Sequence, residues 1–302
     1  MHTTYFTETI QNWQDWAAVF QSISAFEPLI RAILQKEKLP LGKVTQLTPG
    51  TNAVFRVEQL VIKIYAPKES GMDQTSDQKT ELFAARYAKE KGVRAPQVVA
   101  HGSLSDRYDF AYMLMPYMEG QDLESVLRSS SKAQQEALGR ALREATDRLN
   151  QPIPAFNTID VLKDPERESR WRPYTAAFRT ARRAYLESLP ASERVFTHGD
   201  LCADNVLVTP QGLCLLDFAD AVLAPRCYEG ALIAFEYRSY PRFLRGYFAQ
   251  DPASELTERL LQGILMHDFG GDIVKSVMPT ALQMETIEPL RRAIQTILGG
   301  KA

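Results

Sequence analysis

Residues 198–205 of this 302-residue chain read HGDLCADN, and the chain reads DFAD at residues 217–220. Asp200 and Asn205 lie five residues apart, so one compact loop can present a carboxylate and a carboxamide together. A second carboxylate, Asp217, begins the other stretch. Two acids and one amide therefore fall within a short region of sequence.

The segment that joins the two stretches has the pattern of a β-hairpin. Val206-Leu207-Val208 is an apolar run of strand length, residues 209–212 (Thr-Pro-Gln-Gly) are turn formers, and residues 213–216 are a second apolar run. This hairpin predicts that Asp217 returns beside Asn205. The alternative is an ordinary turn in which Asp200 and Asn205 occur by chance. That alternative does not explain why the turn, both apolar runs and Asp217 are spaced as a hairpin requires.

Phosphoryl transfer from a nucleotide needs these side-chain types. One carboxylate orients the attacking hydroxyl, while an amide and a second carboxylate hold the magnesium ions that bridge the phosphates. We therefore expect Asp200 to be the catalytic base and Asn205 and Asp217 to be metal ligands. His198 is expected to brace the loop rather than to carry a proton.

Together, residues 198–205 and Asp217-Phe218 resemble the catalytic signature of the aminoglycoside phosphotransferase and choline kinase-like family. These are small-molecule kinases that share the protein-kinase fold. The chain departs from that signature at Cys202, where the family commonly has a second His, and Ala219 stands where protein kinases have Gly. Neither departure touches the three expected catalytic and metal-binding residues.

The resemblance extends loosely over residues 42–230 and implies an α+β, bilobal protein-kinase-like fold. We expect residues 1–40 to form a helical segment packed on the N-lobe. Residues 41–118 are expected to form an N-lobe with a nucleotide-binding antiparallel sheet, and residues 119–302 a larger, mainly helical C-lobe that binds the acceptor. ATP or GTP and Mg²⁺ are the implied cofactors.

Lys63 lies between two isoleucines in an apolar strand, where an ammonium group is costly without a partner. In such a kinase it would bind the nucleotide phosphates and pair with a helix carboxylate. Glu81 is the best candidate, because Glu69 and Asp77 fall in or beside a polar loop. The alternative is an edge-strand lysine whose ammonium group reaches water.

Residues 47–52 predict a turn between two strands, and the resemblance implies that this turn covers the phosphates. It contains one glycine, Gly50, and Asn52 matches an Asn that the family often has there. Backbone N–H groups of a small, flexible turn can approach phosphates closely. An ordinary hairpin turn is an equally good interpretation of these six residues alone.

Residues 112–120 read as an apolar strand that runs into a Pro- and Gly-containing linker, and they resemble the segment that holds adenine in kinases. Pro116 retains a carbonyl acceptor but has no N–H. The donor to adenine would then be Met118. An isolated strand that ends in proline has the same pattern.

The segment after Asp217 argues against a protein kinase, which needs a long activation loop to dock a polypeptide. Here residues 225–230 follow within about a dozen residues and lead into an apolar helix, with Glu229 where the family often has an Asp that braces the catalytic loop. The Asp-Phe-Gly triplet that begins at Asp268 lies too far from Asp200 and is interpreted as coincidence, with Gly270-Gly271 as a bend between helices.

Composition restricts the remaining function classes. With 45% hydrophobic residues the chain has enough material for a sizeable core. A net charge of −2 argues against a nucleic-acid partner. Three cysteines without metal-site spacing indicate reduced thiols and a cytoplasmic protein, and neither a signal peptide nor a membrane span is evident. A monomer is favoured.

Three helical patterns complete the expectations. Residues 131–134 (Ser-Lys-Ala-Gln) fit a capping box at the start of a long helix. Aromatic and aliphatic residues recur at helical spacing before Pro40, which predicts one or two helices whose apolar stripe is core. Near residues 171–187 an arginine-rich helix is expected to carry Arg179, Arg182 and Arg183 on its solvated face.

We therefore expect transfer of a γ-phosphate to a small-molecule hydroxyl. Aminoglycoside antibiotics, and hence antibiotic resistance, are the leading class. Other hydroxylated metabolites or antibiotics (amino alcohols, sugars, nucleosides) and a non-catalytic nucleotide-binding regulator remain alternatives. Residues 219–302 contain ten Asp and Glu and nine Lys and Arg, so no marked acidic surplus favours a polycation. Four carboxylates there are candidate acceptor contacts: Asp220, Glu236, Asp268 and Asp272.

Overall fold

A computed structural model describes residues 4–47, 50–72 and 75–299. The chain divides into two compact units, Met1–Lys89 with Ala95–Glu119 and Glu90–Arg94 with Gly120–Ala302. Residues 48 and 49 of the predicted phosphate-covering turn lie outside the described residues. The first three residues, to which the signal-peptide expectation applies, also lie outside them.

The first unit contains a five-stranded antiparallel sheet in the order β1-β2-β3-β5-β4. Its strands are β1 (Val44–Gln46), β2 (Ala53–Val57), β3 (Leu60–Ile64), β4 (Ala100–Ser105) and β5 (Asp109–Pro116). In β2 every second side chain is buried, as expected for a strand with one face on the core. Because β3 pairs with β2 on one side and β5 on the other, it is not an edge strand.

Within its described residues, this unit has three α-helices: α1 (Trp13–Val19), α2 (Ile23–Lys36) and α3 (Thr75–Glu90), whose last residue belongs to the second unit. The two predicted helices before Pro40 are confirmed, and their apolar stripe is core. Trp16 and Phe26 belong to the same buried cluster as Phe55 and Tyr112 of the sheet. Asn12 and Ser22 begin α1 and α2 by accepting hydrogen bonds from backbone N–H groups.

Within the described ranges no single helix is both long and apolar enough to cross a membrane. The pair α1 and α2 reaches that length and apolarity only jointly, across a bend of 87°.

The second unit is mainly helical. Its helices are α4 (Leu123–Ser129), α5 (Lys132–Leu149), α6 (Pro165–Ser169), α7 (Ala176–Ser188), α8 (Cys227–Glu236), α9 (Pro241–Tyr247), α10 (Ala253–Met266), α11 (Gly270–Val277) and α12 (Glu288–Gly299). The capping box predicted at the start of α5 is present, since Ser131 and Gln134 exchange side-chain to backbone hydrogen bonds. The expected α+β class is confirmed.

Five short strands in this unit position the loops of interest: β6 (Gln121–Asp122), β7 (Val195–Thr197), β8 (Val206–Thr209), β9 (Gly212–Leu215) and β10 (Val222–Ala224). The predicted hairpin is confirmed as β8 and β9, with Val206 opposite Leu215. Thr197 of β7 lies opposite Val222 of β10. This pairing brings the start of the 198–205 loop beside the end of the 217–220 stretch.

Two local expectations were wrong. Arg182 is 6% exposed rather than on a solvated face, because its guanidinium binds Glu168 at 2.6 Å and the Leu265 carbonyl at 2.7 Å. Gly270 and Gly271 begin α11 instead of forming a bend. A Cβ on Gly270 would lie 2.1 Å from the Ile264 carbonyl oxygen, so glycine is needed there for close packing.

Candidate active site

The 198–205 loop connects β7 to β8 and ends in a single 3-10 turn, Ala203–Asn205. Its backbone requires glycine at position 199. Gly199 has a φ of +86°, and a Cβ there would lie 2.1 Å from the Asp220 carbonyl oxygen. The loop therefore packs tightly against the 217–220 stretch.

Asp200 and Asn205 are in direct contact, as their spacing suggested. The Asn205 amide nitrogen donates to both the Asp200 backbone carbonyl and the Asp200 Oδ2, each at 2.8 Å. Because Nδ2 makes both bonds, the Asn205 Oδ1 faces away from Asp200. The contact fixes the carboxylate and leaves the amide oxygen directed away from it.

Asp217 lies two residues beyond the end of β9 and adopts the left-handed region, with a φ of 52°. A non-glycine residue there costs about 1 kcal/mol or more unless its surroundings hold it. The Leu216 N–H donates to the Asn205 carbonyl at 2.9 Å, which links the preceding residue to the loop. Asp217 itself is exposed, and the Ala219 N–H contacts its Oδ1 at 3.4 Å.

The electrostatic environment raises the pKa of Asp200 to about 6. Burial is the largest cause, and the negative charges of Asp217 and Glu236 add to it. Hydrogen bonds from Cys202 and Asn205 act in the opposite direction but do not offset burial. Such a carboxylate is ionised at neutral pH and is still basic enough to accept a proton.

His198 is fully buried, and its hydrogen bonds define a neutral tautomer. Its Nε2 lies 2.9 Å from the Leu216 carbonyl, which can only accept, so Nε2 carries the proton. Its Nδ1 accepts from the Asp200 N–H at 3.3 Å. Burial lowers the pKa of His198 to about 4, so the ring stays uncharged and joins two parts of the site.

Glu229 of α8 holds the same loop from the other side. Its carboxylate accepts from the His198 N–H at 2.9 Å and from the Gly199 N–H at 3.3 Å. Asn150 donates to Glu229 at 3.3 Å and to the Phe196 carbonyl at 2.8 Å. Burial raises the pKa of Glu229 to about 7 despite these donors.

The donor set suits a hard cation that brings other ligands with it. Within the described residues, no group of three or more His, Cys, Asp or Glu side chains is arranged to hold a metal ion alone. Asn205 and Asp217 offer oxygen ligands, which Mg²⁺ prefers, and Mg²⁺ usually takes its remaining ligands from phosphates and water. These two residues therefore fit magnesium.

The first unit contains the predicted lysine and its predicted partner in contact. Lys63 Nζ lies 2.8 Å from Glu81 Oε2, and the two residues are 3% and 4% exposed. The Tyr65 hydroxyl donates to the same Oε2 at 2.7 Å. Since β3 is an inner strand, the alternative of an edge-strand lysine is excluded.

The other predicted nucleotide contacts also lie in this unit. Gly50 is exposed, and a Cβ there would meet no atom within 4 Å. Asn52 is 6% exposed, and its Oδ1 has no hydrogen-bond partner within the described part of the chain.

The predicted base-binding linker follows β5. Pro116 ends β5 opposite Leu60, and the Tyr117 N–H donates to the Gln59 carbonyl at 2.8 Å. Met118 is the next residue beyond this pairing.

The four carboxylates considered for acceptor binding already have partners. Asp268 Oδ1 accepts from Arg170 at 2.9 Å, and Asp272 lies 3.6 Å from the same arginine. Glu236 accepts from the Ala203 N–H at 3.1 Å, and Asp220 interacts electrostatically with Arg167. Arginine charge thus partly neutralises Asp220, Asp268 and Asp272, whereas the Glu236 donor is an uncharged backbone N–H.

Two supporting residues were not predicted from the sequence. Tyr65 is two residues from Lys63, and side chains two apart share a face of a strand, so this spacing was an available signal. Asn150 contacts Glu229 across 79 positions, and no local pattern indicates that contact.

Comparison with known proteins decides the family. A family model described as the phosphotransferase enzyme family matches residues 43–260. The chain belongs to the phosphotransferase enzyme family. No curated protein sequence matches it. The expected enzyme class, a phosphotransferase acting on hydroxyl groups of small molecules, is confirmed.

Solved structures of other phosphotransferases share the fold. The streptomycin and ATP complex of APH(2″)-IIa has a TM-score of 0.62 at 16% identity, covering 86% of this chain and 96% of that chain. A GDP complex of aminoglycoside 2′-phosphotransferase-IIIa has a TM-score of 0.59 at 17% identity, with 91% and 98% covered. Amicoumacin kinase hAmiN with AMP-PNP, Ca²⁺ and Ami has a TM-score of 0.56 at 15% identity, with 89% and 93% covered. The protein-kinase-like fold is confirmed.

Proposed function

We propose that this phosphotransferase moves the γ-phosphate of ATP or GTP to a hydroxyl group of a small molecule, with Mg²⁺ as the metal. The observation that carries the proposal is the contact of Asn205 Nδ2 with Asp200 at 2.8 Å. It fixes a carboxylate and supports a role for the amide oxygen as a cation ligand. An acid beside an amide oxygen is the pairing that this reaction requires.

Asp200 is the proposed base. It accepts or orients the proton of the acceptor hydroxyl, and its pKa of about 6 leaves it ionised at neutral pH. His198 and Glu229 hold its loop through hydrogen bonds with backbone N–H groups. Asn205 and Asp217 are the proposed magnesium ligands. When bound, Mg²⁺ neutralises phosphate charge.

The first unit supplies the proposed nucleotide contacts. Lys63, held by Glu81, binds phosphate oxygens through its ammonium group. The turn at Gly50 and Asn52 offers backbone N–H groups to the phosphates. The Pro116 carbonyl and the Met118 N–H bind the adenine or guanine base.

Aminoglycosides are the first acceptor class to test, because one of the similar structures carries that class in its name and another contains streptomycin. The partners found for Asp220, Glu236, Asp268 and Asp272 favour equal attention to acceptors of lower positive charge. Amino alcohols, sugars and nucleosides are therefore the second class. A non-catalytic nucleotide-binding regulator is the remaining alternative.

A magnesium-dependent assay of ATP and GTP consumption across these acceptors tests the proposal. We expect consumption that requires one acceptor and is abolished by EDTA. Mass spectrometry of that acceptor should show the addition of one phosphoryl group. Nucleotide binding without any acceptor-dependent turnover would favour the regulator instead.

A further inference from the structure

The N-terminal helical segment contacts the predicted phosphate-covering turn through one hydrogen bond. Trp16 of α1 donates from its indole Nε1 to the Thr51 carbonyl oxygen at 2.9 Å. Thr51 lies between Gly50 and Asn52, the two residues of that turn proposed to bind phosphate. Trp16 lies outside residues 43–260, the part of the chain that matches the family model.

The indole is held rigidly where it makes this bond. Trp16 is 0% exposed, and its ring packs edge-on against Phe26 with a centroid distance of 5.7 Å. Phe26 in turn packs on Phe55 of β2, the strand that follows the turn, at 5.6 Å. The donor and the start of β2 therefore share one buried aromatic cluster.

A second set of contacts fixes the segment that leads into α1. The Tyr5 and Phe6 N–H groups donate to Asp106 Oδ2 at 2.9 Å and 2.7 Å, and the Ile10 N–H donates to the Tyr108 hydroxyl at 2.8 Å. Both acceptors lie at the connection of β4 and β5. The segment is thus anchored to the sheet independently of the Trp16 bond.

Fixing one carbonyl orients a neighbouring N–H group. The Thr51 carbonyl and the Asn52 N–H belong to the same planar trans peptide, in which they point in opposite directions. The bond from Trp16 holds the carbonyl toward the helix and directs the Asn52 N–H to the opposite side. Backbone N–H groups presented by such turns bind phosphate oxygens.

We infer that Trp16 is a positioning residue for nucleotide binding: it fixes the Thr51–Asn52 peptide so that the Asn52 N–H is presented to a nucleotide phosphate. The inference rests on the proposed function of this turn. It adds that the N-terminal helical segment sets the affinity for nucleotide.

Trp16→Phe tests the inference, because it keeps an aromatic ring and removes the donor. We expect the Kd for AMP-PNP or GMP-PNP with Mg²⁺, measured by calorimetry, to rise about 2- to 10-fold, the range of one hydrogen bond. Trp171→Phe is the matched control. Trp171 is equally buried, and its Nε1 has no hydrogen-bond partner among the residues that the structure describes.

Three outcomes are distinguished. A larger Kd for Trp16→Phe with an unchanged Kd for Trp171→Phe supports the inference. An unchanged Kd for Trp16→Phe, or equal increases in both variants, overturns it and leaves the proposed function intact. Failure of the unaltered protein to bind either analogue overturns both.

NMR of the unaltered protein gives a test that does not depend on the Trp16→Phe variant folding. The chain has three tryptophans, so three indole N–H resonances are expected, and those of Trp13 and Trp171 are assigned from their Phe variants. We expect the remaining resonance, that of Trp16, to shift during titration with AMP-PNP and Mg²⁺ while that of Trp171 stays fixed. A Trp16 resonance that does not move in a nucleotide-bound protein would overturn the inference.

Discussion

Lys63 in the first unit and Asp200 in the second are both ionisable side chains with little access to water, and the fold surrounds them in opposite ways. Lys63 has a carboxylate 2.8 Å away and an additional hydroxyl on that carboxylate. Asp200 has two further acids near it, Asp217 and Glu236, which raise its pKa together with burial. The first group has its counter-charge within the protein, whereas the second is surrounded by charge of its own sign.

The difference follows from what each group is proposed to bind. A lysine that binds phosphate must stay in place while the nucleotide is absent, and a buried partner holds it there. For acids that bind a cation, the cation itself supplies the opposite charge. Asp217 and Glu236 therefore add negative charge beside Asp200, next to the proposed cation site.

Asp200→Asn should give the largest effect of any single change in the second unit. The substitution keeps the shape and removes the base, so we expect the turnover rate to fall about 10²- to 10⁴-fold. Steady-state nucleotide consumption with the active acceptor measures it. Asp204→Asn is the matched control, since Asp204 is exposed in the same loop. An unchanged turnover rate in Asp200→Asn would show that Asp200 does not act as the base.

Glu81→Gln tests the first unit by removing the counter-charge of Lys63. A buried ammonium without its partner is strongly destabilising, so we expect the free energy of unfolding to fall by about 3 kcal/mol. Urea unfolding measures the change. Glu27→Gln is the control, because its pair with Arg31 is solvent-accessible and should be worth less than about 1 kcal/mol. An equal fall in the free energy of unfolding in both variants would mean that burial does not increase the contribution of the Lys63–Glu81 ion pair to stability.

Added Mg²⁺ should stabilise the second unit through Asp217. Binding to the folded state alone contributes about 1.4 kcal/mol when free Mg²⁺ is ten times its Kd. We expect Tm to rise with Mg²⁺ in the unaltered protein and to rise less in Asp217→Asn. Thermal unfolding with and without Mg²⁺ measures both. An equal rise in Tm in the two proteins would show that Mg²⁺ binds at a site that does not include Asp217.

Local sequence pattern predicted what depends on neighbouring residues. The hairpin of β8 and β9 follows from two apolar runs around a turn, and the capping box at Ser131 follows from spacing alone. The Asp200–Asn205 contact is likewise a property of one short loop. Each of these features is stabilised by residues within about ten positions of one another.

Long-range pairing was not accessible in the same way. Arg170 binds Asp268 across 98 positions, and Arg182 binds Glu168 and the Leu265 carbonyl. Nothing in the spacing of an arginine-rich helix shows which guanidinium will be buried, because its partners come from other elements. The positive φ of Asp217 was also not predicted, since such a backbone is imposed by tertiary packing.

Tyr65→Phe should give the smallest effect and gives the finest test of the Lys63 environment. The Tyr65 hydroxyl shares Glu81 Oε2 with Lys63, so its loss removes one buried hydrogen bond while the ion pair remains. We expect the free energy of unfolding to fall by about 1 kcal/mol and the KM for nucleotide to rise slightly with kcat unchanged. Tyr185→Phe is the control, because its bond to Glu258 is solvent-accessible. A loss in Tyr65→Phe as large as that in Glu81→Gln would show that the hydroxyl, rather than the ammonium group, is the main partner of Glu81, and the contrast between the two units would then rest on hydrogen bonding instead of charge.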